Sequence, residues 1–351
     1  MNSTIHLGNV PVGVGHKPFV IAEMSGNHNQ SLDRALSIVD AAAQAGAHAV
    51  KLQTYTADTM TLDIADGEFF IDDPKSLWAG QAMHALYQQA HTPWDWHAPI
   101  MERARQHGML CFSSPFDETA VDFLEQLDVP CYKIASYENT DLPLIRRAAA
   151  TGKPLIISTG LAHISEVDEA VRVARAAGNG GVILLKCTAT YPADPRNSHL
   201  RTIPAMRDLF ACEVGLSDHT LGIGAAVASV ALGATVIEKH LTLSRAEGGV
   251  DAAFSLEPAE FTALVVETER AWQALGNVML GPTEAEERAR TRRRSLYIAE
   301  DLKAGEALTP ASLRRIRPGL GLPSRYFDEL LGKKVNRDVS RGTPMSWDLI
   351  G

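Results

Sequence analysis

The feature that most constrains this chain is a regular alternation. Eight short runs rich in β-branched and apolar residues, at 19–22, 49–53, 110–113, 131–134, 155–158, 182–187, 213–216 and 236–240, are separated by amphipathic stretches. Runs of this length bounded by turn residues suit strands buried on both faces, and the stretches between them, with apolar residues three and four apart, suit helices. Helices are expected at 32–45, 94–106, 118–127, 142–150, 166–176, 223–232 and 258–274. Gly46, Gly108, Gly152, Gly178 and Gly233 each follow such a stretch, where a glycine closes a helix in the left-handed conformation. Eight strands each followed by a helix predict an α/β fold of the (β/α)8 TIM-barrel type. A doubly wound sheet competes, but its glycine fingerprint after the first strand is missing from Glu23-Met24-Ser25-Gly26-Asn27.

The chain then changes character. Residues 282–294 are charged and end in Arg292-Arg293-Arg294, which reads as an exposed connector. From 295 to 351 the segments are short, strand-like and turn-rich. Asp301-Leu302-Lys303-Ala304-Gly305 and Asp338-Val339-Ser340-Arg341-Gly342 form a weak internal repeat, which predicts a small pseudo-symmetric β-rich domain. The expected organisation is a barrel over 1–281, a linker over 282–294 and the small domain over 295–351.

Charge and cysteine usage narrow the partners. The net charge of −9 provides no general field for nucleic acid or anionic lipid, so neither is expected. No apolar run approaches a membrane span and the first residues lack the pattern of a signal peptide, which predicts a cytoplasmic protein. The four cysteines, Cys111, Cys131, Cys187 and Cys212, are far apart and are expected to be reduced core thiols.

A barrel builds its active site at the C-terminal ends of its strands. Polar residues gather there: Glu23 with Asn27, His28 and Asn29; Lys51 and Gln53; Ser113 and Ser114; Lys133 and Ser136; Ser158 and Thr159; Thr188 and Tyr191; Ser217, Asp218 and His219; Glu238 and His240. Two lysines and several serines facing one mouth describe an anion site, with cations for charge and hydroxyls as donors. His219 and His240, on adjacent strand ends, suit a divalent metal with Glu23 or water completing the shell. The same residues admit other readings: a lysine forming a Schiff base, a lysine paired with Glu238, or hydrogen-bonded structural histidines. Trp78, Trp94 and Trp96 are expected to pack under a long loop that borders the mouth.

At these positions the sequence resembles the sialic acid synthase family. The resemblance is carried by Ile21-Ala22-Glu23 with Asn27-His28-Asn29, by Lys51-Leu52-Gln53-Thr54, and by Tyr132-Lys133-Ile134-Ala135-Ser136. Ser158-Thr159-Gly160, Gly215-Leu216-Ser217-Asp218-His219-Thr220 and Ile237-Glu238-Lys239-His240 extend it along the chain. Arg317-Pro318-Gly319-Leu320-Gly321 is similar to the family's C-terminal antifreeze-like (SAF) domain. Residues 77–80, 90–97 and 111–117 look like the branch that makes pseudaminic acid.

The resemblance implies a C–C bond-forming transferase that joins phosphoenolpyruvate to an open-chain N-acetylated aldose, giving a nonulosonic acid and phosphate with C–O cleavage. For that branch the sugar is 2,4-diacetamido-2,4,6-trideoxy-L-altrose; the alternatives are the N-acetylneuraminic and legionaminic acid precursors. It implies that Lys51, Ser114 and Lys133 hold the phosphoenolpyruvate carboxylate and that Ser136, Ser158 and Ser217 hold its phosphate. His219 and His240 are expected to bind a divalent metal of the Mn, Mg or Co type, and Glu23 to orient or deprotonate water. Glu23, Tyr191, Asp251 and Arg317 are expected to face the sugar, and Asn27, Gln53 and Glu238 to complete the substrate site. Arg317 would reach that sugar from the small domain of a neighbouring subunit, in a domain-swapped homodimer. Two positions depart from the sialic-acid-forming members. Ser114 replaces a common Thr and keeps the hydroxyl, whereas Ala189 replaces an Asn and removes a contact. The competing classes are a Schiff-base pyruvate aldolase and a non-catalytic carbohydrate-binding protein; the latter leaves the polar strand ends unexplained.

Overall fold

The computed structural model describes residues 4–351, and the chain divides after Gly276 into two compact units. The first opens with an antiparallel hairpin, β1 (Ile5–Leu7) and β2 (Val10–Val12). Eight parallel strands follow: β3 (Phe19–Glu23), β4 (Ala49–Thr54), β5 (Leu110–Pro115), β6 (Tyr132–Ile134), β7 (Leu155–Ser158), β8 (Val182–Cys187), β9 (Glu213–Asp218) and β10 (Val236–His240). They close into a barrel in sequence order, β10 pairing with β3 from Val236 opposite Phe19 to His240 opposite Glu23. The expected (β/α)8 architecture is therefore present.

Strand alternation decides what each side chain meets. On β10, Glu238 and His240 share the interior face, whereas Lys239 between them points outward and is fully buried under the helical layer. Ile21, Val50, Ile134, Ile156, Leu184 and Val214 belong to one continuous apolar core. The helices begin where short polar side chains cap them: Ser31 for Leu32–Gln44, Asp117 for Glu118–Gln126 and Asp141 for Leu142–Ala149.

Gly46, Gly108, Gly152 and Gly233 all have positive φ, as left-handed helix closures require. Gly178 does not. Its backbone is extended (φ −154°, ψ 170°), and a Cβ there would lie 1.9 Å from the carbonyl oxygen of Ala149. Close approach of two backbones, not handedness, requires that glycine. A helix at Thr202–Phe210, between β8 and β9, escaped the sequence reading. Arg201 precedes it without a side-chain cap, and Ala211 rather than glycine ends it at φ 48°. Residues 94–96 form a 3-10 turn, so the helix expected from residue 94 starts at His97. Trp94 stacks on Phe123 with centroids 4.6 Å apart and Trp96 packs edge-on to His28, both as packing residues.

In the second unit β11 (Ser295–Ile298) pairs antiparallel with β12 (Leu313–Ile316) around a core that includes Leu296, Leu313, Leu330 and Val335. Its connector carries a short exposed helix, Glu284–Ala289, started by a Thr283/Glu286 capping box. The two halves of the internal repeat pair with each other. Leu302 and Val339 exchange backbone hydrogen bonds of 2.8 and 2.9 Å. Asp338 Oδ1 accepts from the backbone NH of Ala304, and Asp301 Oδ1 accepts reciprocally from that of Arg341. Each aspartate thus ties the turn of the other half. Among the described residues no helix is long and apolar enough to cross a membrane, and all four cysteines are buried and free.

Candidate active site

The mouth of the barrel holds a buried ionic network. Lys51 on β4 places Nζ 2.6 Å from Glu23 Oε2 at the end of β3 and 3.9 Å from Glu238 Oε2 on β10. It also donates to Ser114 Oγ on β5 at 3.2 Å. Lys133 on β6 donates to Glu238 Oε1 at 3.2 Å, and the same oxygen accepts from Ser217 Oγ on β9 at 2.9 Å. Gln53 Nε2 donates to Glu23 Oε1 at 3.1 Å. Residues far apart in sequence meet here because the parallel strands all end at one rim.

Burial and charge set the protonation states. Burial opposes the charge on Glu238, but Lys133 and Lys51 outweigh it and hold the carboxyl down at about 2. Burial also opposes the charge on Lys51, and there Glu23 and Glu238 prevail and raise its pKa. Burial wins at Lys133, which is lowered despite Glu238. It wins at Glu23 too, pushed up to about 7 although Lys51 pulls the other way. Glu238 is thus the permanent anion, and Glu23 is the carboxyl that exchanges a proton near neutrality.

The ends of β6 and β7 carry hydroxyls with spare capacity. Ser136, just past β6, accepts at 3.2 Å from the backbone NH of Gly160, which follows β7. A Cβ on Gly160 would meet Ser136 Oγ at 2.6 Å and Ala189 Cβ at 3.1 Å, so only glycine lets these loops meet. Ser158 Oγ is buried with no partner in the protein. Asn139 braces this edge by donating to the carbonyls of Ser158 and Gly160. An unpaired buried hydroxyl at a strand end of the barrel is a binding feature awaiting an acceptor.

On the other side His219 and His240 stand with ring centroids 5.4 Å apart. His219 Nδ1 lies 3.1 Å from the carbonyl oxygen of Thr188, which assigns the ring proton to Nδ1 and frees the Nε2 lone pair. His240 Nδ1 is buried without a hydrogen-bond partner and lies 3.8 Å from Asp251 Oδ2. Burial first, then His219 and the lysines, keep His240 neutral. Asp251 in turn accepts the hydroxyl of Ser25. Among the described residues no set of three His, Cys, Asp or Glu side chains is drawn together around one point. The two imidazoles, one with an orphaned nitrogen and the other with its Nδ1 on a backbone carbonyl, and a neighbouring carboxylate nevertheless fit a divalent cation whose other positions go to water or substrate. Glu23, the third ligand left open by the sequence, is committed to Lys51.

Above the histidines the wall is aromatic. Tyr191 lies 4.5 Å from His219 and 5.1 Å from Phe254, and Phe254 lies 4.9 Å from His240. Trp78, from the long connection after β4, packs 5.8 Å from Tyr191 and donates Nε1 to the carbonyl of Val250 at 2.9 Å.

The structure therefore gathers Glu23, Lys51, Gln53, Ser114, Lys133, Ser217 and Glu238 into one network. It puts Ser136 and Ser158 on one flank, and His219, His240, Asp251 and Tyr191 on the other. Asn27 serves as a brace: its amide donates to Leu241 O and Ser255 Oγ, joining the β3 loop to the loop after β10. Arg317 lies in the second unit, exposed, just after β12. The sequence reading passed over Glu138, whose Oε2 is buried without a partner and whose carboxyl burial pushes up to about 7 against the pull of Lys133. The signal was available two residues past Ser136, in the same strand-end loop.

A closed parallel barrel with buried lysines, unpaired hydroxyls and paired histidines at its C-terminal rim defines a barrel enzyme that binds a small anion. Comparison with known proteins gives the family. A model of the NeuB family matches residues 38–279, and one of the SAF domain matches residues 293–351. The chain is 42% identical over 326 residues to a pseudaminic acid synthase of Campylobacter jejuni, covering 93% of this chain and 94% of that one. It is 33% identical over 325 residues to an N,N'-diacetyllegionaminic acid synthase of the same organism, covering 92% and 97%. The crystal structure of an N-acetylneuraminic acid synthetase from Leptospira borgpetersenii, in complex with citrate, superposes with a TM-score of 0.73 at 32% identity, covering 82% of this chain and 95% of that one. The chain belongs to the NeuB family and is a condensing transferase of the sialic acid synthase type, followed by a SAF domain.

Proposed function

We propose that this enzyme condenses phosphoenolpyruvate with 2,4-diacetamido-2,4,6-trideoxy-L-altrose to give pseudaminic acid and phosphate. The observation that carries the reaction is Glu238 bridging Lys51 and Lys133 inside a ring of serines, a cationic site already neutralised by an internal carboxylate. An incoming carboxylate or phosphate takes up those ammonium groups together with Ser114 and Ser217, while Ser136 and Ser158 supply further donors. The choice of sugar is supported by the higher identity to the pseudaminic acid synthase than to the legionaminic acid synthase of one organism.

Bound this way, the enol C3 attacks the aldehyde carbon of the open-chain sugar. The new C–C bond forms as the carbonyl π pair moves to oxygen, and the resulting alkoxide takes a proton from solvent water to become a hydroxyl. Water adds to the electron-poor C2, and Glu23, with its pKa near neutrality, takes the proton. The adduct then expels phosphate by C2–O cleavage, its hydroxyl loses a proton, and the 2-keto acid results. His219, His240 and Asp251 would hold a divalent metal, which supplies Lewis-acid polarisation of an aldehyde oxygen when bound. Lys51, kept as an ammonium by two carboxylates, is in the wrong state for a Schiff base. This reading also carries the homodimer, with Arg317 of one subunit serving the sugar site of the other. Co-expressed Lys51→Ala and Arg317→Ala chains would then regain activity, and absence of rescue would refute it.

The experiment is product analysis by mass spectrometry across a panel of acetamido aldoses with phosphoenolpyruvate. The altrose derivative is expected to give the highest kcat/KM and stoichiometric phosphate. Preference for a neuraminic or legionaminic acid precursor would overturn the assignment.

A further inference from the structure

The sugar side of the mouth has a wall with almost nothing to offer a hydroxyl. Phe254 is fully buried against His240 and carries no polar atom. Trp78 has one donor, Nε1–H, and that is spent on the carbonyl of Val250 at 2.9 Å. The tether leaves the indole to present carbon only, and it joins the Trp78 loop to the residue before Asp251. Tyr191, between the two, is the one ring of the three with a polar tip free. The rings run without a break from His240 through Phe254 and Tyr191 to Trp78.

We propose that Trp78 is a specificity-determining residue that selects an aldose carrying a methyl group, rather than a hydroxymethyl group, at the carbon farthest from its aldehyde. The inference rests on the condensation proposed above. With its aldehyde at the histidines, an open-chain hexose extends along this wall. A terminal CH3 placed against the indole gains contact area and loses no hydrogen bond. A terminal CH2OH placed against the indole must give up its water and finds no partner on Trp78, whose one donor is spent on Val250, which disfavours it. Trp78 is half-buried, on the connection between β4 and β5 and outside the barrel strands. A purely apolar surface rejects an added hydroxyl by about 10²-fold, and that is the discrimination expected.

The test measures kcat/KM for 2,4-diacetamido-2,4,6-trideoxy-L-altrose and for its 6-hydroxy counterpart, in the wild-type enzyme and in Trp78→Ala and Trp78→Phe. The wild type is expected to favour the 6-deoxy sugar by about 10²-fold. Trp78→Ala should bring that ratio down by at least tenfold with the KM for phosphoenolpyruvate unchanged. Trp78→Phe, which loses the tether but keeps an apolar ring, should retain most of the ratio. A wild-type ratio near one, an unchanged ratio in a folded Trp78→Ala, or a ratio lost equally in Trp78→Phe would each overturn the role. Failure of the wild type to use either altrose would instead overturn the proposed reaction, so the two failures are distinguishable.

Discussion

Lys239 and Asp218 form a fully buried ion pair, 2.7 Å long, on adjacent strands, each one residue before a histidine of the active site. The same ammonium donates to the carbonyl of Thr220, and Asp218 accepts from the Thr220 backbone NH, so His219 is clamped on both sides. Facing the helices rather than the mouth, the pair acts on the site only through the positions of His219 and His240. Lys239→Met alone leaves a buried carboxylate uncompensated and should destabilise the protein by about 3–5 kcal/mol. Lys239→Met with Asp218→Leu should recover most of that stability in thermal melts. The double variant should still bind Mn2+ about 10–100-fold more weakly in an EPR titration, because the imidazoles lose their fixed spacing. Wild-type Mn2+ affinity in the double variant would show the pair to be structural only.

Metal dependence itself is checked by removal. Chelator should abolish turnover, and Mn2+ or another divalent ion should restore it. His240→Ala should remain inactive under both conditions. A fully active His240→Ala in chelator would rule out the histidine site.

Glu138 gives a pH-dependent stability signature. Burial raises its folded carboxyl to about 7 from an ordinary 4.5, so the charged form is the one the fold disfavours. The associated stability is fully present below the unfolded value and is lost as pH rises through about 7. Glu138→Gln should therefore stabilise the protein at pH 8, by at most on the order of 3 kcal/mol, and the gain should vanish below pH 4.5. A melting-temperature difference independent of pH would contradict the burial account.

Gly160→Ala tests the contact between the Ser136 and Ser158 loops. The added methyl would push Ser136 from its place, 2.6 Å from the new Cβ. The KM for phosphoenolpyruvate should rise at least tenfold with a smaller effect on kcat, an outcome readable from steady-state kinetics. Unchanged KM would remove Ser136 from the anion site.

The barrel was legible because its signals are local: buried strands read as apolar runs, and four of the five helix-closing glycines have the positive φ expected of them. Gly178 was misread because a close approach to Ala149 is non-local and leaves the same residue in the sequence. The helix Thr202–Phe210 lacked a capping side chain and a terminal glycine, the two marks a boundary needs. At the site, strand-end position drew attention to Glu23, Lys51, Ser114, Lys133, Ser217 and Glu238, which meet in one network, but also to Asp218, which faces the helices. What it did not supply was the partition of roles among them. Glu238 as the bridge between two lysines, Asn27 as a brace and Trp78 as a tethered wall depend on contacts between strands and loops far apart in sequence.

The central claim is a condensation in which water enters at C2 and phosphate leaves with its bridging oxygen. Phosphoenolpyruvate labelled with 18O at the bridging position, incubated with the altrose derivative, enzyme and Mn2+, tests it in one reaction. Mass spectrometry should show the label in the released phosphate, one equivalent for each nonulosonic acid formed. Label retained in the keto acid, or product formed with no phosphate released, would contradict the account.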